Sequence, residues 1–287
     1  MVSGKEAPMK YRIAMDSGGE LPADLRGNDA FVTIPLTLDI GGESIVDDGH
    51  ESQLQIVGKI AADPHCPKTA CPSPEAYLNA FSEEAEHNFA ITLSSELSGS
   101  YQSAMIAKDM FEDEHPDAKI YVFNSRSSSV GESLVLLKIM ELEEAGRSFD
   151  EIVADVEAYI SVRNTLFVLD NLETLRKNGR LSRFKAAAAS VLRIKPICYG
   201  TPEGVIGQLD QARGINKAIV KMVQYAVERT PDPENRVLGI SYVNCRDRAI
   251  IVRDELLKRM NVKEVFMTET GGLSTVYAND GGIIVAI

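Results

Sequence analysis

A short run of small polar residues lies where the sequence predicts that a buried strand ends and a helix begins. It follows the apolar residues 89–93 and contains Ser95, Ser98, Gly99 and Ser100. At the carboxyl end of a parallel strand, free backbone N–H groups and the positive end of the next helix favour an anion. Ser98 can donate its hydroxyl to such a ligand, and Gly99 lets the backbone approach it without a Cβ in the way. The alternative is that Ser98 only caps the helix.

Two further segments carry side chains that suit an anion. Thr69 stands shortly before Ser73, which is predicted to cap a helix, so capping does not use the Thr69 hydroxyl. It is either a surface residue or a ligand donor. Arg180 follows Asn178 and Gly179, a pair typical of a helix end, and is predicted to lie in a turn before another helix. Its guanidinium is either solvated or kept for a phosphate or carboxylate.

The motifs of common catalytic and cofactor sites are absent from the sequence. It lacks the glycine-rich phosphate loops, the zinc-protease helix motif and the serine nucleophile elbow. None of its histidines stands in a pattern that indicates a general base. The cysteines form no C-x-x-C pair, and Asp47 and Asp48, in a glycine-flanked turn, are predicted to be solvated. We therefore expect no cofactor, no metal site and no catalysis by this chain alone.

The acidic balance of the chain limits its partners. The net charge is −12, from 42 acidic and 30 basic residues. Nucleic acid and anionic membrane surfaces bind proteins that carry dense positive charge, so neither is an expected partner of this acidic chain. No stretch has the length of a membrane span, and the first residues lack the apolar core of a signal peptide. These features favour a cytoplasmic protein with reduced cysteines and no integral membrane association.

The elements that must position these residues follow from alternating apolar runs and helical patterns. The first half predicts strands at 11–15, 31–38, 89–93 and 120–123, and helices at about 98–111 and 130–144. Strands separated by helices of this length indicate βαβ units and a mainly parallel sheet. The second half predicts strands at 167–169, 194–198, 205–213, 237–243, 265–268 and 283–287. We place a domain boundary near Arg163, which gives domains 9–162 and 163–287.

Taken in order, these segments resemble the DegV family from about residue 11 to residue 287. The resemblance is carried by D-S at 16–17, I-P-L at 34–36, D-D-G at 47–49, T-A-C-P-S at 69–73, S-S-E-L-S-G-S-Y-Q at 94–102, L-R-K-N-G-R-L-S at 175–182 and I-K-P-I at 194–197. The family's usual form of the fourth motif is T-S-Q-P-S, so its second and third residues differ here. Each motif alone is weak, but the ordered set is specific.

The resemblance implies two α/β domains with a long-chain fatty acid held between them. The N-terminal domain would have a mainly parallel sheet and the C-terminal domain a mixed sheet. Thr69 and Ser98 would hold the carboxylate, with the Gly99 N–H nearby, and the acyl chain would enter an apolar tunnel. Some members are the lipid-carrying subunit of bacterial fatty acid kinase and present the carboxylate to an ATP-binding partner. Arg180 would then serve near the exposed end of the ligand.

One departure concerns the family's G-T-H-x-G-P-G segment, which corresponds to residues 276–282. Ala278 stands where the family commonly has a histidine near the head group, and this leaves the coupling to a kinase open. Tyr277 and Asn279 are the candidate replacement donors. The full ligand-binding set that we predict is Thr69, Ser95, Ser98, Gly99, Ser100, Arg180 and Tyr277.

Two other functions fit the same helix terminus. The first is a binding module for a small polar or phosphorylated ligand, which would need a wet, polar cleft. The second is a serine-dependent acyl transferase with Ser98 as the nucleophile. That function needs a base within about 2.6–3.2 Å of the hydroxyl, and the sequence offers no evident candidate.

Overall fold

Two large β-sheets and one small three-stranded sheet organise the part of the chain that the structure describes, residues 9–181 and 194–287 of this computed structural model. The strands are β1 Tyr11–Asp16, β2 Phe31–Ile34, β3 Thr37–Ile40, β4 Glu43–Val46, β5 Lys68–Ala70, β6 His87–Thr92, β7 Ile120–Asn124, β8 Thr165–Val168, β9 Ile194–Gly200, β10 Ile206–Arg213, β11 Val237–Tyr242, β12 Glu264–Glu269 and β13 Ile283–Ala286. The helices are α1 Gln53–Ala62, α2 Pro74–Leu78, α3 Ser100–Glu114, α4 Val130–Glu144, α5 Phe149–Val162, α6 Glu173–Lys177, α7 Ile215–Glu228, α8 Arg246–Leu257 and α9 Gly272–Ala278.

The two large sheets differ in strand direction. The first has the order β2-β1-β6-β7, and all of its pairings are parallel. The second has the order β10-β9-β8-β13-β11-β12, in which only β11 and β12 run parallel. The expected α/β class, with a parallel N-terminal sheet and a mixed C-terminal sheet, is confirmed.

The predicted strand at 31–38 is wrong as a single element. β2 ends at Ile34 in the parallel sheet, and β3 begins at Thr37 in a separate three-stranded sheet of order β4-β3-β5. Pro35 stands at the break, and because it lacks an N–H it cannot donate to a sheet ladder. The break matters for the site, since β3 pairs with β5 and thereby aligns Thr69 opposite Leu38.

Other predicted boundaries need small corrections. The helix expected from residue 98 begins at Ser100, because Gly99 occupies its N-cap position. α1 and α9 were not predicted from the sequence pattern, and α9 is the more important because it carries Tyr277. The helix expected after Arg180 would lie in residues 182–193, outside the described residues.

The two halves of the chain share apolar contacts. α5 ends at Val162 and β8 begins at Thr165, so the predicted division at 162/163 falls in the short link between the first and second sheets. The division into domains itself stays a prediction. Leu273 and Val276 pack with residues of the N-terminal half, including Leu36, in one buried cluster. Buried apolar area of this kind favours a fixed arrangement of the two halves.

Residues 9–181 and 194–287 contain neither a membrane-spanning helix nor a metal-binding cluster. None of the helices in these ranges is both long and apolar enough to cross a membrane. No cluster of histidine, cysteine and acidic side chains in them has the arrangement of a metal site. The four cysteines, all within these ranges, are free thiols.

Candidate functional site

A cavity of about 370 Å³ is lined by residues of both halves of the chain. Most of its wall is apolar, and the side chains that form it include Leu93, Leu97, Phe167, Leu169, Leu175 and Ile206. Among the predicted ligand-binding residues, the structure brings five to this wall: Thr69, Ser98, Gly99, Arg180 and Tyr277. An apolar cavity with a few converging polar groups is the usual form of a small-molecule site.

Thr69, Tyr277 and Arg180 form one connected polar group at the cavity. The Thr69 Oγ1 and Tyr277 OH atoms are 2.9 Å apart, and the Arg180 guanidinium carbon lies 5.8 Å from the centre of the Tyr277 ring. Arg180 donates from Nε to the Leu97 carbonyl at 3.2 Å and from Nη1 to the Asn178 carbonyl at 2.6 Å. It forms no ion pair with any described carboxylate. Its positive charge is therefore fixed beside the cavity and available to an anion.

Ser98 and Gly99 lie where the loop after β6 enters α3. The Ser98 Oγ is 3.0 Å from the Ser100 Oγ and accepts a hydrogen bond from the Ser100 N–H at 3.2 Å. Gly99 occupies the N-cap position and has no side chain, so Ser98 supplies the side-chain hydrogen bond to the first N–H of α3, and the capping alternative stays open beside ligand binding. A Cβ at Gly99 would lie only 3.1 Å from the Cys71 Sγ, so the glycine lets the loop approach the segment that carries Thr69.

Two predicted site residues lie away from the cavity wall. Ser95 is exposed, and its Oγ accepts a hydrogen bond of 2.8 Å from the Asn124 side chain. Ser100 is fully buried, and its hydroxyl faces Ser98 on one side and the Asp16 carboxyl on the other. Neither residue is among those that line the cavity. The spacing within the motif did not distinguish them from Ser98, because only the turn into α3 decides which hydroxyls face inwards.

Ala278, which is predicted from the sequence to stand at the position of the family's histidine, is buried in the cavity wall next to Tyr277. Of the two candidate replacement donors, Asn279 directs its amide to the Thr174 Oγ1 at 3.2 Å and to neighbouring carbonyls. Tyr277 instead directs its hydroxyl to Thr69. The geometry therefore favours Tyr277 as the polar group that occupies this part of the site.

Buried acids of the N-terminal half hold the start of α9, which presents Tyr277. Asp47 accepts hydrogen bonds from the N–H groups of Gly272 at 2.9 Å and Leu273 at 2.8 Å, and Glu20 accepts one from Gly271 at 2.6 Å. The expectation that Asp47 is solvated is wrong, since it is 7% exposed. Burial raises the pKa of Asp47, and it raises the pKa of Glu20 to about 7.

The buried Asp16 carboxyl holds the loop that carries Ser98 by hydrogen bonds, as Asp47 holds the start of α9. The Asp16 carboxyl accepts hydrogen bonds of 3.0 Å from the N–H groups of Gly18 and Leu93, and one of 3.3 Å from the Tyr77 hydroxyl. Burial raises its pKa to about 6 despite these donors. No local pattern predicts this role, because Asp16 ends β1 and Leu93 follows β6, far from it in the chain.

Comparison with known proteins identifies relatives across nearly the whole chain. The family model that matches residues 10–287 is described as "Uncharacterised protein, DegV family". A DegV domain-containing protein of Streptococcus pneumoniae is 32% identical over 282 residues, which cover 96% of this chain and 98% of the relative.

Solved structures give the same result in three dimensions. A DegV family protein of Ruminococcus gnavus, refined with vaccenic acid, is 44% identical with a TM-score of 0.95, covering 98% of this chain and 100% of that one. A DegV family protein of Eubacterium eligens loaded with heptadecanoic acid is 30% identical with a TM-score of 0.87, covering 96% and 98%. The Fatty Acid Kinase (Fak) B3 protein of Streptococcus pneumoniae loaded with linoleic acid is 31% identical with a TM-score of 0.87, covering 97% and 99%. This chain therefore belongs to the DegV family.

Proposed function

We propose that the chain binds one long-chain fatty acid in the cavity between its two halves. The carboxylate accepts hydrogen bonds from the hydroxyls of Thr69 and Ser98 and from the Gly99 N–H, and the acyl chain lies along the apolar wall. The observation that carries the proposal is the arrangement of the cavity, in which hydroxyls and the Arg180 guanidinium, which forms no ion pair with a described carboxylate, lie beside a surface of leucine, isoleucine and phenylalanine side chains.

The energetics suit an amphipathic ligand. Each buried methylene contributes about 0.8 kcal/mol, so a long acyl chain supplies on the order of 10 kcal/mol. A carboxylate that leaves water must regain its hydrogen bonds, since an unpaired buried charge is costly. Hydroxyl donors, an N–H group at a helix start and the nearby Arg180 charge meet this requirement.

Three similar structures support the ligand class. The R. gnavus, E. eligens and S. pneumoniae proteins are described with vaccenic, heptadecanoic and linoleic acid respectively. These acids differ in length and unsaturation but share a terminal carboxylate and a long hydrocarbon chain. The same two features match the polar and apolar parts of the cavity described above.

The ligand class is tested by displacement. Protein stripped of lipid is loaded with the fluorescent fatty acid cis-parinaric acid, and oleic acid and glucose 6-phosphate are added in separate titrations. We expect oleic acid to displace the probe at stoichiometric concentrations and the sugar phosphate to leave it bound. If the probe does not bind, or if the sugar phosphate displaces it as readily, the fatty acid proposal is wrong and the polar-ligand alternative gains support.

We further propose that the protein presents the bound carboxylate to an ATP-dependent fatty acid kinase and does not itself catalyse the phosphorylation. The likeness to the Fak B3 protein supports this role. Tyr277, which bonds Thr69 beside Ala278, takes the place of the usual histidine as the polar group at the head of the ligand. With a fatty acid kinase ATP-binding subunit, ATP and oleic acid, we expect acyl phosphate that hydroxylamine traps as a hydroxamate. No product above the level without this protein would contradict the coupling.

The hydrogen-bond partners of the Ser98 hydroxyl are those expected of a residue that binds a ligand and not of a nucleophile. This hydroxyl is paired with Ser100, and no described histidine or carboxylate lies within hydrogen-bond distance of it. A nucleophilic serine needs an adjacent base to remove its proton. This geometry supports carboxylate binding by Ser98 over acyl transfer.

A further inference from the structure

The cavity has a second polar region, formed by Ser127, Ser128 and Thr165, which we call the inner hydroxyl patch. Thr165 and Phe167 on β8, and Leu169 just beyond it, are alternate residues that all line the cavity. Four residues of extended chain span about 13 Å, so Thr165 lies about that distance from Leu169. Leu169 packs with Tyr277 in one apolar cluster. Along β8, an apolar stretch of wall that includes Phe167 therefore lies between Thr165 and the Tyr277 side of the cavity. The Ser127 backbone bonds Ser94 in the loop that carries Ser98.

Within the patch, one of the two buried hydroxyl hydrogens has no well-placed acceptor. The Ser127 Oγ and Thr165 Oγ1 atoms are 2.8 Å apart, and either can donate to the other. If Ser127 donates, no described acceptor takes the Thr165 hydrogen. If Thr165 donates, the Ser127 hydrogen reaches only the Ser128 carbonyl at 3.4 Å, which is long for such a bond. Since both residues are buried, at 5% and 8% exposed, a spare donor here favours an acceptor from a ligand.

The patch is electrically neutral, which limits the group that it can bind. Arg126 also lines the cavity, but its guanidinium is 3.7 Å from the Glu157 carboxylate. Arg163, two residues before Thr165, is not among the residues that line the cavity, and it donates to the Gly131 and Ser125 carbonyls. A second carboxylate at the patch would therefore be buried without direct contact with a free cation. A hydroxyl group fits better, because it can accept from the spare donor and donate to an oxygen of the Ser127–Thr165 pair.

We propose that the ligands of this protein include long-chain fatty acids with a hydroxyl group near the middle of the chain, which the inner hydroxyl patch binds. The inference rests on the proposed function, since the carboxylate must be held at Thr69 and Ser98 for the mid-chain hydroxyl to reach Thr165. It adds a specificity determinant that an entirely apolar tunnel lacks. In such a tunnel a buried hydroxyl without a partner would weaken binding.

The test compares stearic, 12-hydroxystearic and 2-hydroxystearic acids on the wild type and on Thr165→Val, which keeps the side-chain shape and removes the hydroxyl. We expect the affinity for 12-hydroxystearic acid, relative to stearic acid, to fall roughly tenfold in the variant. The ratio for 2-hydroxystearic acid, whose hydroxyl adjoins the carboxylate, stays unchanged. Thr69→Val is the matched control, and it weakens the binding of stearic and 12-hydroxystearic acids by the same factor.

An unchanged ratio of 12-hydroxystearic to stearic acid affinity in Thr165→Val would overturn the inference while leaving fatty acid binding intact. Failure of the wild type to bind stearic acid would instead remove the proposed function itself. Melting curves establish that each variant is folded. If Thr165→Val is unfolded, Ser127→Ala removes the other member of the pair, and the same tenfold change in the ratio is expected.

Discussion

The Ser98 hydroxyl lies on the cavity wall within hydrogen-bond distance of Ser100, one residue before the N-cap of α3. Its neighbour Ser95, which has the same side chain, is exposed and bonded to Asn124. Because the two side chains are identical, the same substitution at each serine shows whether ligand binding depends on where the hydroxyl lies. In the proposed complex Ser98 binds the carboxylate, and Ser95 does not contact the ligand.

We therefore predict that Ser98→Ala weakens fatty acid binding by roughly 1–3 kcal/mol, the cost of leaving a buried carboxylate oxygen without a donor. Ser95→Ala is the matched control and should bind like the wild type. Isothermal titration of lipid-free protein with oleic acid measures both. Equal affinities for Ser98→Ala and Ser95→Ala would show that the Ser98 hydroxyl does not contact the ligand.

The residue types of the site were predictable from the sequence, but their grouping was only partly so. Thr69, Ser98 and Arg180 were identified from turn and helix-end patterns together with the family resemblance, and the structure brings them to one cavity. Ser95 and Ser100 were not separable from Ser98, because which way a hydroxyl points depends on where α3 starts. Thr165 carried no local signal, since its partner Ser127 lies in the loop between β7 and α4, far from it in the chain.

At the scale of elements, α9 depends on side chains from the other half of the chain. Its first N–H groups are satisfied by Asp47 and its preceding residue by Glu20, and Tyr277 lies near its end. The helix is short and has no side-chain cap of its own. A seven-residue helix is marginal without such support. No local pattern could predict it, because Asp47 and Gly272 are far apart in the chain.

We predict that Asp47→Ala lowers the free energy of unfolding by about 1–2 kcal/mol, as loss of an N-terminal cap does, and also weakens oleic acid binding because Tyr277 moves with α9. Asp48→Ala is the control, since Asp48 is exposed and only bonds His50 within its own loop. Urea unfolding of both variants measures the difference. Identical midpoints for the two variants would contradict the assignment of Asp47 as the anchor of α9.

At the scale of the whole molecule, several acids are buried together where the two halves meet. Burial raises the pKa of Asp16 to about 6 and that of Glu20 to about 7. Burial, and then the adjacent Asp16 carboxyl, raise the pKa of Glu132 well above its ordinary value. The unfolded chain loses these protons at lower pH than the folded chain does. The folded state therefore holds more protons between about pH 4 and pH 7.

Stability should consequently fall as the pH rises through this window, because the unfolded state binds fewer protons there. Between pH 5 and pH 8 we expect a loss of more than about 1.4 kcal/mol, the equivalent of one pKa unit. Glu132→Gln, which cannot ionise, should show a smaller loss. Urea unfolding at the two pH values measures the free energies. A stability that is constant or rises with pH in the wild type would contradict the raised pKa values.

Whether this protein is a fatty acid carrier is decided by the identity of the molecule that the native protein holds. The protein is purified without detergent and denatured, and the organic extract is analysed by mass spectrometry with a heat-denatured blank. We expect long-chain fatty acid in a ratio approaching one per chain. A chain that carries no fatty acid and takes up none when it is offered would contradict the account.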